Sequence, residues 1–73
     1  MASTQGTAAL AEYDIFRLPN GKYLQLMDMF EDGAWGCDVR DFPGCHAASG
    51  YEELEPSEIV ELEKVTGWKW QVV

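Results

Sequence analysis

The tetrapeptide Pro19-Asn20-Gly21-Lys22 constrains what this chain can fold into more than any other feature. Asn-Gly between two β-type runs is the strongest short-range hairpin signal, because both residues tolerate the backbone angles of a tight reversal. Before it, residues 13–18 read as a short strand. After it, residues 22–30 read as a second strand, with Leu24, Leu26 and Phe30 on one face and Tyr23, Gln25, Met27 and Met29 on the other. Both faces are partly apolar, which predicts a central strand. Glu31-Asp32-Gly33 marks another turn, and residues 35–42 alternate, with Trp35, Cys37 and Val39 opposite Asp38 and Arg40. Pro43-Gly44 ends that strand, since proline removes a ladder donor and glycine permits a sharp bend.

Residues 43–55 read as a long loop, a length found more often in functional loops. Pro56-Ser57-Glu58 has the marks of a helix start: proline in the first turn, a capping serine and an acid at the positive end of the dipole. Ile59, Leu62 and Val65 form an apolar stripe flanked by Val60, and Gly67 is the expected stop. Trp68, Trp70 and Val72 alternate over residues 68–73 and predict a closing strand. The expected order is β-β-β-α-β, an α+β fold: a three-stranded antiparallel meander, one α-helix and a fourth C-terminal strand. A helix of about three turns is not stable alone in water, so the sheet must hold it. Residues 1–11 are small and polar and read as a flexible arm ahead of a single domain over residues 12–73.

With 73 residues there is room for one small core, and Trp35, Trp68 and Trp70 carry much of the bulk available to fill it. The bland reading of these tryptophans is core packing; one left exposed would be a binding hot spot. The opening residues lack the basic start and apolar run of a secretory leader, and no segment has the apolar length to span a bilayer. The expectation is a soluble, cytoplasmic protein with reduced thiols and no membrane association.

Charge gives the functional reading. Thirteen Asp and Glu stand against five Lys and Arg, a net charge of −8. Six of the acids, Glu52, Glu53, Glu55, Glu58, Glu61 and Glu63, fall together with no base among them. Such a field repels nucleic acid and anionic lipid and attracts basic protein surfaces. An acidic stretch can also serve solubility alone. The sharper reading is a docking surface that steers a partner's Arg and Lys; imitation of a phosphate backbone needs carboxylates over a larger surface and ranks below it. The residues expected to contact a protein partner are Glu52, Glu53, Glu55, Glu58 and Glu61, with Tyr23, Met27 and Met29 on the outer face of the second strand and Arg40 on the third. The competing reading of that outer face is that the N-terminal arm covers it.

No catalytic constellation competes with binding. Cys37, Cys45 and His46 lack a fourth ligand and the paired spacing of a structural zinc site, so neither metal nor cofactor is expected. Cys45-His46 as nucleophile and base lacks an orienting group, and neighbours in sequence rarely meet in the required geometry. The chain is read as a monomeric binding protein and not an enzyme.

Two resemblances extend this reading. Asp32-Gly33-Ala34-Trp35, followed by Asp41-Phe42-Pro43-Gly44-Cys45-His46-Ala47, resembles the hairpin of HicB-type antitoxins, where a strand ends in an acid, an apolar residue and Pro-Gly-Cys. That resemblance implies neutralisation of a small basic toxin. The chain departs from the family after this point, where an acidic loop and a helix near Ser57 stand in place of an Ala-rich helix, and no DNA-binding half is appended. In length, charge and flexible start the whole chain is similar to small acidic phage-encoded transcription regulators. This second resemblance implies binding to a bacterial RNA polymerase subunit in the host cytoplasm, with a block of promoter recognition and altered termination. It transfers no site residues. Phage inhibitors of CRISPR effectors share the same character.

Overall fold

The computed structural model describes residues 10–71. Within them lie strands β1 (Ile15–Arg17), β2 (Tyr23–Met29), β3 (Trp35–Arg40) and β4 (Gly50–Leu54), a one-turn helix α1 (Pro56–Ile59), and strand β5 (Glu63–Val65). The strands form one sheet in the order β4-β3-β2-β1-β5, every neighbouring pair antiparallel.

The two turn signals build the same loop twice. Between β1 and β2, Gly21 N–H donates to the Leu18 carbonyl at 3.1 Å, Leu18 N–H to Lys22 O at 2.9 Å, and Lys22 N–H to Asn20 Oδ1 at 2.9 Å. Between β2 and β3 the equivalent bonds join Gly33 to Phe30 (2.9 Å), Phe30 to Ala34 (2.8 Å) and Ala34 to Asp32 Oδ1 (3.0 Å). Gly21 and Gly33 both take positive φ, +89° and +92°, where a side chain would be strained. Each loop is therefore a three-residue connection closed by a left-handed glycine, with an Asn or Asp side chain bracing the next amide.

One side of the sheet packs the main core: Phe16, Leu24, Leu26, Trp35, Cys37, Val39 and, from α1, Ile59. Leu10, Leu18, Leu54 and Leu62 close its margin. The expected placement of Trp35, Cys37 and Val39 together holds, and β2 is central as its two apolar faces required. A bulge between Leu26 and Asp28 shifts the register of β2 by one residue. Such an insertion exchanges the faces beyond it. Met29 consequently stands opposite Trp35, while Phe30 reaches the far face over Gly36, the reverse of the simple alternation.

The α+β class and the β-β-β-α-β order are corrected by this sheet, which has five strands, all antiparallel, and a helix of a single turn. Three segments account for the difference. Residues 50–54, expected within a loop, form β4, paired with β3 from Gly50↔Val39 to Leu54↔Trp35. An edge strand buries little, so its sequence need not alternate, and Leu54 alone anchors it. The helix expected to run to Gly67 stops after Ile59, which is fully buried. Its start is capped by Glu58, whose Oε1 accepts the Glu55 N–H at 2.9 Å, not by Ser57. The remaining stripe residues serve elsewhere: Leu62 at the core margin, and Val65 opposite Ile15 in the β1–β5 pair. Residues 68–71 form no strand and run irregularly instead, with Gln71 N–H donating to Gly44 O at 2.8 Å.

Val72 and the expected arm up to residue 9 lie outside the described residues. Leu10 and Ala11 belong to the folded body, Ala11 N–H donating to Asp14 Oδ2 at 3.0 Å. No helix among the described residues is long and apolar enough to cross a membrane.

Candidate interaction surface

The outer face expected to offer Tyr23, Met27, Met29 and Arg40 divides into a closed part and an open part. Arg40 holds the closed part. Only 4% exposed, its guanidinium spends its donors inside the fold. Nε donates to Gln25 Oε1 at 2.7 Å, Nη2 to Asp38 Oδ2 at 2.9 Å, and Nη1 to the Cys45 and His46 carbonyls at 2.9 and 2.8 Å. Met27 Sδ lies 3.9 Å from Nη2, and the Trp70 ring centroid 5.6 Å from Cζ. Gln25, fully buried, returns its amide N–H to the Tyr13 carbonyl at 3.1 Å. Trp70 lies across this cluster, stacked on His46 at 4.8 Å and met edge-on by Trp68 and Tyr13 at 5.1 and 6.4 Å. A buried guanidinium is tolerable only when its donors are met, and here they are. Arg40 is thus an internal anchor for the 45–46 loop and the C-terminal segment and is not available to a partner. Tyr23 is half-buried beneath the Arg17 guanidinium, 5.8 Å from its ring.

The open part lies at the other end of β2 and β3. Gly36 sits mid-strand, and a Cβ there would lie 2.5 Å from Tyr51 Oη and 2.9 Å from Phe30 Cζ. The missing side chain lets the two rings settle onto the backbone of β3. Both stay partly exposed, Tyr51 at 55%, whereas Met29, 65% exposed, stands on the Trp35 side of the sheet and not with them. Carboxylates surround them. Glu53 Oε2 accepts the Tyr51 hydroxyl at 3.4 Å, and Phe30, Glu31, Asp32 and Glu53 line one shallow concavity. The Tyr51 phenol is held above its ordinary pKa by partial desolvation, then by the Glu53 charge and hydrogen bond and by Asp28.

The run of six acids does not form one face. Glu52 stands opposite Cys37 and Glu53 opposite Gly36, so they project to opposite sides of β4. Glu58 is committed to the Glu55 backbone at the helix start. Glu61 and Glu63 line a groove with Arg17, Leu18, Pro19, Gly21 and Leu62, on the far side of the sheet order from β4. In their place the fold recruits Asp28, Glu31 and Asp32 from the β2–β3 hairpin. Sequence reading missed those acids and the Phe30–Tyr51 pair; the one available signal was a glycine in the middle of an otherwise regular strand.

The cysteines are free thiols. Cys37 is buried, its thiol pushed up to about 12 by desolvation and then by the Glu52 and Asp38 charges. Cys45 Sγ donates to the Ala47 carbonyl at 3.3 Å, while the adjacent His46 ring is stacked on Trp70. No group of three or more His, Cys, Asp and Glu side chains among the described residues is placed to hold a metal ion. No family model, curated protein or solved structure matches the chain.

Proposed function

We propose that this chain is a non-catalytic binding protein that occupies a basic surface of bacterial RNA polymerase and inhibits or modulates transcription. The observation that supports the reading is the exposed Phe30–Tyr51 pair ringed by Asp28, Glu31, Asp32 and Glu53, beside a sheet edge that has no strand partner among the described residues. An apolar centre with a single-sign charged rim matches an interface in which charge sets the encounter rate and aromatic anchors set the lifetime. Like charge turns nucleic acid away, so the target of the acids is protein.

The test measures association of the purified chain with RNA polymerase core enzyme at several salt concentrations. Glu52→Lys combined with Glu53→Lys is expected to slow association about tenfold at low salt and to flatten its salt dependence, as loss of electrostatic steering requires. Unchanged kinetics in both respects remove this patch from the interface. A gel shift of duplex DNA by the isolated chain at moderate salt overturns the reading.

A further inference from the structure

We propose that β4 is a receptor edge: it accepts an extended, basic segment of a partner protein as a sixth strand, with a Lys or Arg of that segment seated over Tyr51. The inference rests on the binding reading above and names the partner's chemistry and mode of attachment.

The sheet ends in two edges, and they differ. β5 has three residues, and its Lys64 is tethered to Asp14 Oδ2 at 3.4 Å. β4 has five residues in unbroken register with β3, without proline or bulge. Its outer backbone edge has no strand partner among the described residues. Five residues span about 17 Å, enough for several new backbone hydrogen bonds. Unpaired edges invite further strands, and proteins deter this with charge.

The charge on β4 is selective. Glu52 and Glu53 project to opposite faces, so an incoming strand meets a carboxylate whichever way each of its side chains points. A second copy of this chain brings the same negative charge and is repelled. A strand bearing Lys or Arg is attracted on both faces. On the Tyr51 side it also finds a ring for a cation to lie over, with Glu53 and Asp28 behind it. Nucleic acid has neither the charge nor the backbone donors to compete.

The test uses the full chain and a nine-residue probe peptide that alternates Arg or Lys with Val or Thr, in three forms: unmodified, N-methylated on one set of alternate amides, and N-methylated on the other. Only one set can face β4. One methylated form is therefore expected to lose about tenfold or more in affinity while the other binds like the parent. Backbone amides of residues 50–54 should move in the NMR spectrum and gain exchange protection. Glu53→Gln and Tyr51→Ala should each weaken binding about threefold, and Glu58→Gln should not.

Equal binding of all three peptides overturns the edge mode, as does mapping of the shifts to Glu61 and Glu63. Either result leaves a basic partner in place, whereas no binding of any form at low salt sinks both proposals. Protection of both sets of β4 amides in the free chain also overturns the inference. It identifies the occupant as the chain itself when independent of concentration, and as a second copy when it grows with concentration.

Discussion

The two faces of this sheet are held by opposite chemistry. On one, Phe16, Leu24, Leu26, Trp35, Cys37, Val39 and Ile59 exclude water by apolar contact alone. On the other, a single buried guanidinium gathers an amide, a carboxylate and two loop carbonyls under a tryptophan. Apolar contacts are many and individually replaceable, so such a core tolerates gradual change. A polar cluster is all-or-none, because each lost partner leaves another buried group unsatisfied. Among the described residues no buried side-chain nitrogen or oxygen is left without a partner, so any break in the Arg40 cluster creates the first one.

The comparison predicts its own largest effect. Arg40→Ala should cost about 4 kcal/mol, since it strands Gln25, Asp38 and two carbonyls. Ile59→Ala, a truncation in the apolar core, should cost about 3 kcal/mol. Urea unfolding of both variants, followed by tryptophan fluorescence, ranks the two faces. If Ile59→Ala is the more severe and Arg40→Ala leaves the Trp70 environment unchanged, the guanidinium is not what holds the second face.

Gly44→Ala sharpens the same point at smaller scale. Gly44 has φ +83°, and an added Cβ would lie within van der Waals overlap of the Lys69 carbonyl oxygen. The close approach lets residues 69–71 lie against the 43–46 loop. The substitution should cost about 2 kcal/mol and break the His46–Trp70 stack, read as loss of ring-current shifts on His46. Main-core resonances such as those of Leu24 and Leu26 should stay in place. If they move as much as His46, the two faces unfold as one unit.

The smallest effect concerns Cys37 on the apolar face. Burial keeps its thiol neutral to about 12, against an ordinary value of 9.0. The unfolded chain releases this proton at lower pH, so the stabilisation is complete below the ordinary thiol range and is lost as pH rises. Stability should fall by about 1 kcal/mol between roughly pH 9 and pH 10. Cys37→Ala should flatten that decline in alkaline unfolding curves. A thiol reagent at neutral pH should label Cys45, which is half-buried, and spare Cys37. Rapid labelling of both thiols, or an alkaline decline unchanged in Cys37→Ala, would mean that the apolar face admits water.

Both hairpins and the strands they join were legible in the sequence, because turn chemistry is local: Asn20-Gly21 and Asp32-Gly33 carry their backbone preferences wherever they sit. The inward set Trp35, Cys37 and Val39 was legible for the same reason. β4 was not, because an exposed edge strand needs no apolar alternation and Glu52-Glu53 read as loop. The helix was over-read. Ile59, Leu62 and Val65 fit a helical stripe, yet residues 63–65 pair with β1, whose outward backbone groups a longer helix would leave without a strand partner. The acidic run read as one face, and it is not one, since adjacent strand residues such as Glu52 and Glu53 point to opposite faces.

By itself, then, the sequence determined the turns, the central three strands, the apolar set of the main core and the sign of the surface field. Each depends on neighbours a few residues apart or on a sum over the whole chain. Only the tertiary structure decided that Arg40 would be buried, that residues 63–65 would be a strand, and that Phe30 and Tyr51 would meet over Gly36. Those outcomes join residues up to 50 positions apart (Ile15 with Val65), and the meeting of Phe30 with Tyr51 also follows a bulge in β2 that no local preference announces. Long-range pairing chooses among locally acceptable conformations, and it does so by which arrangement leaves no buried polar group alone.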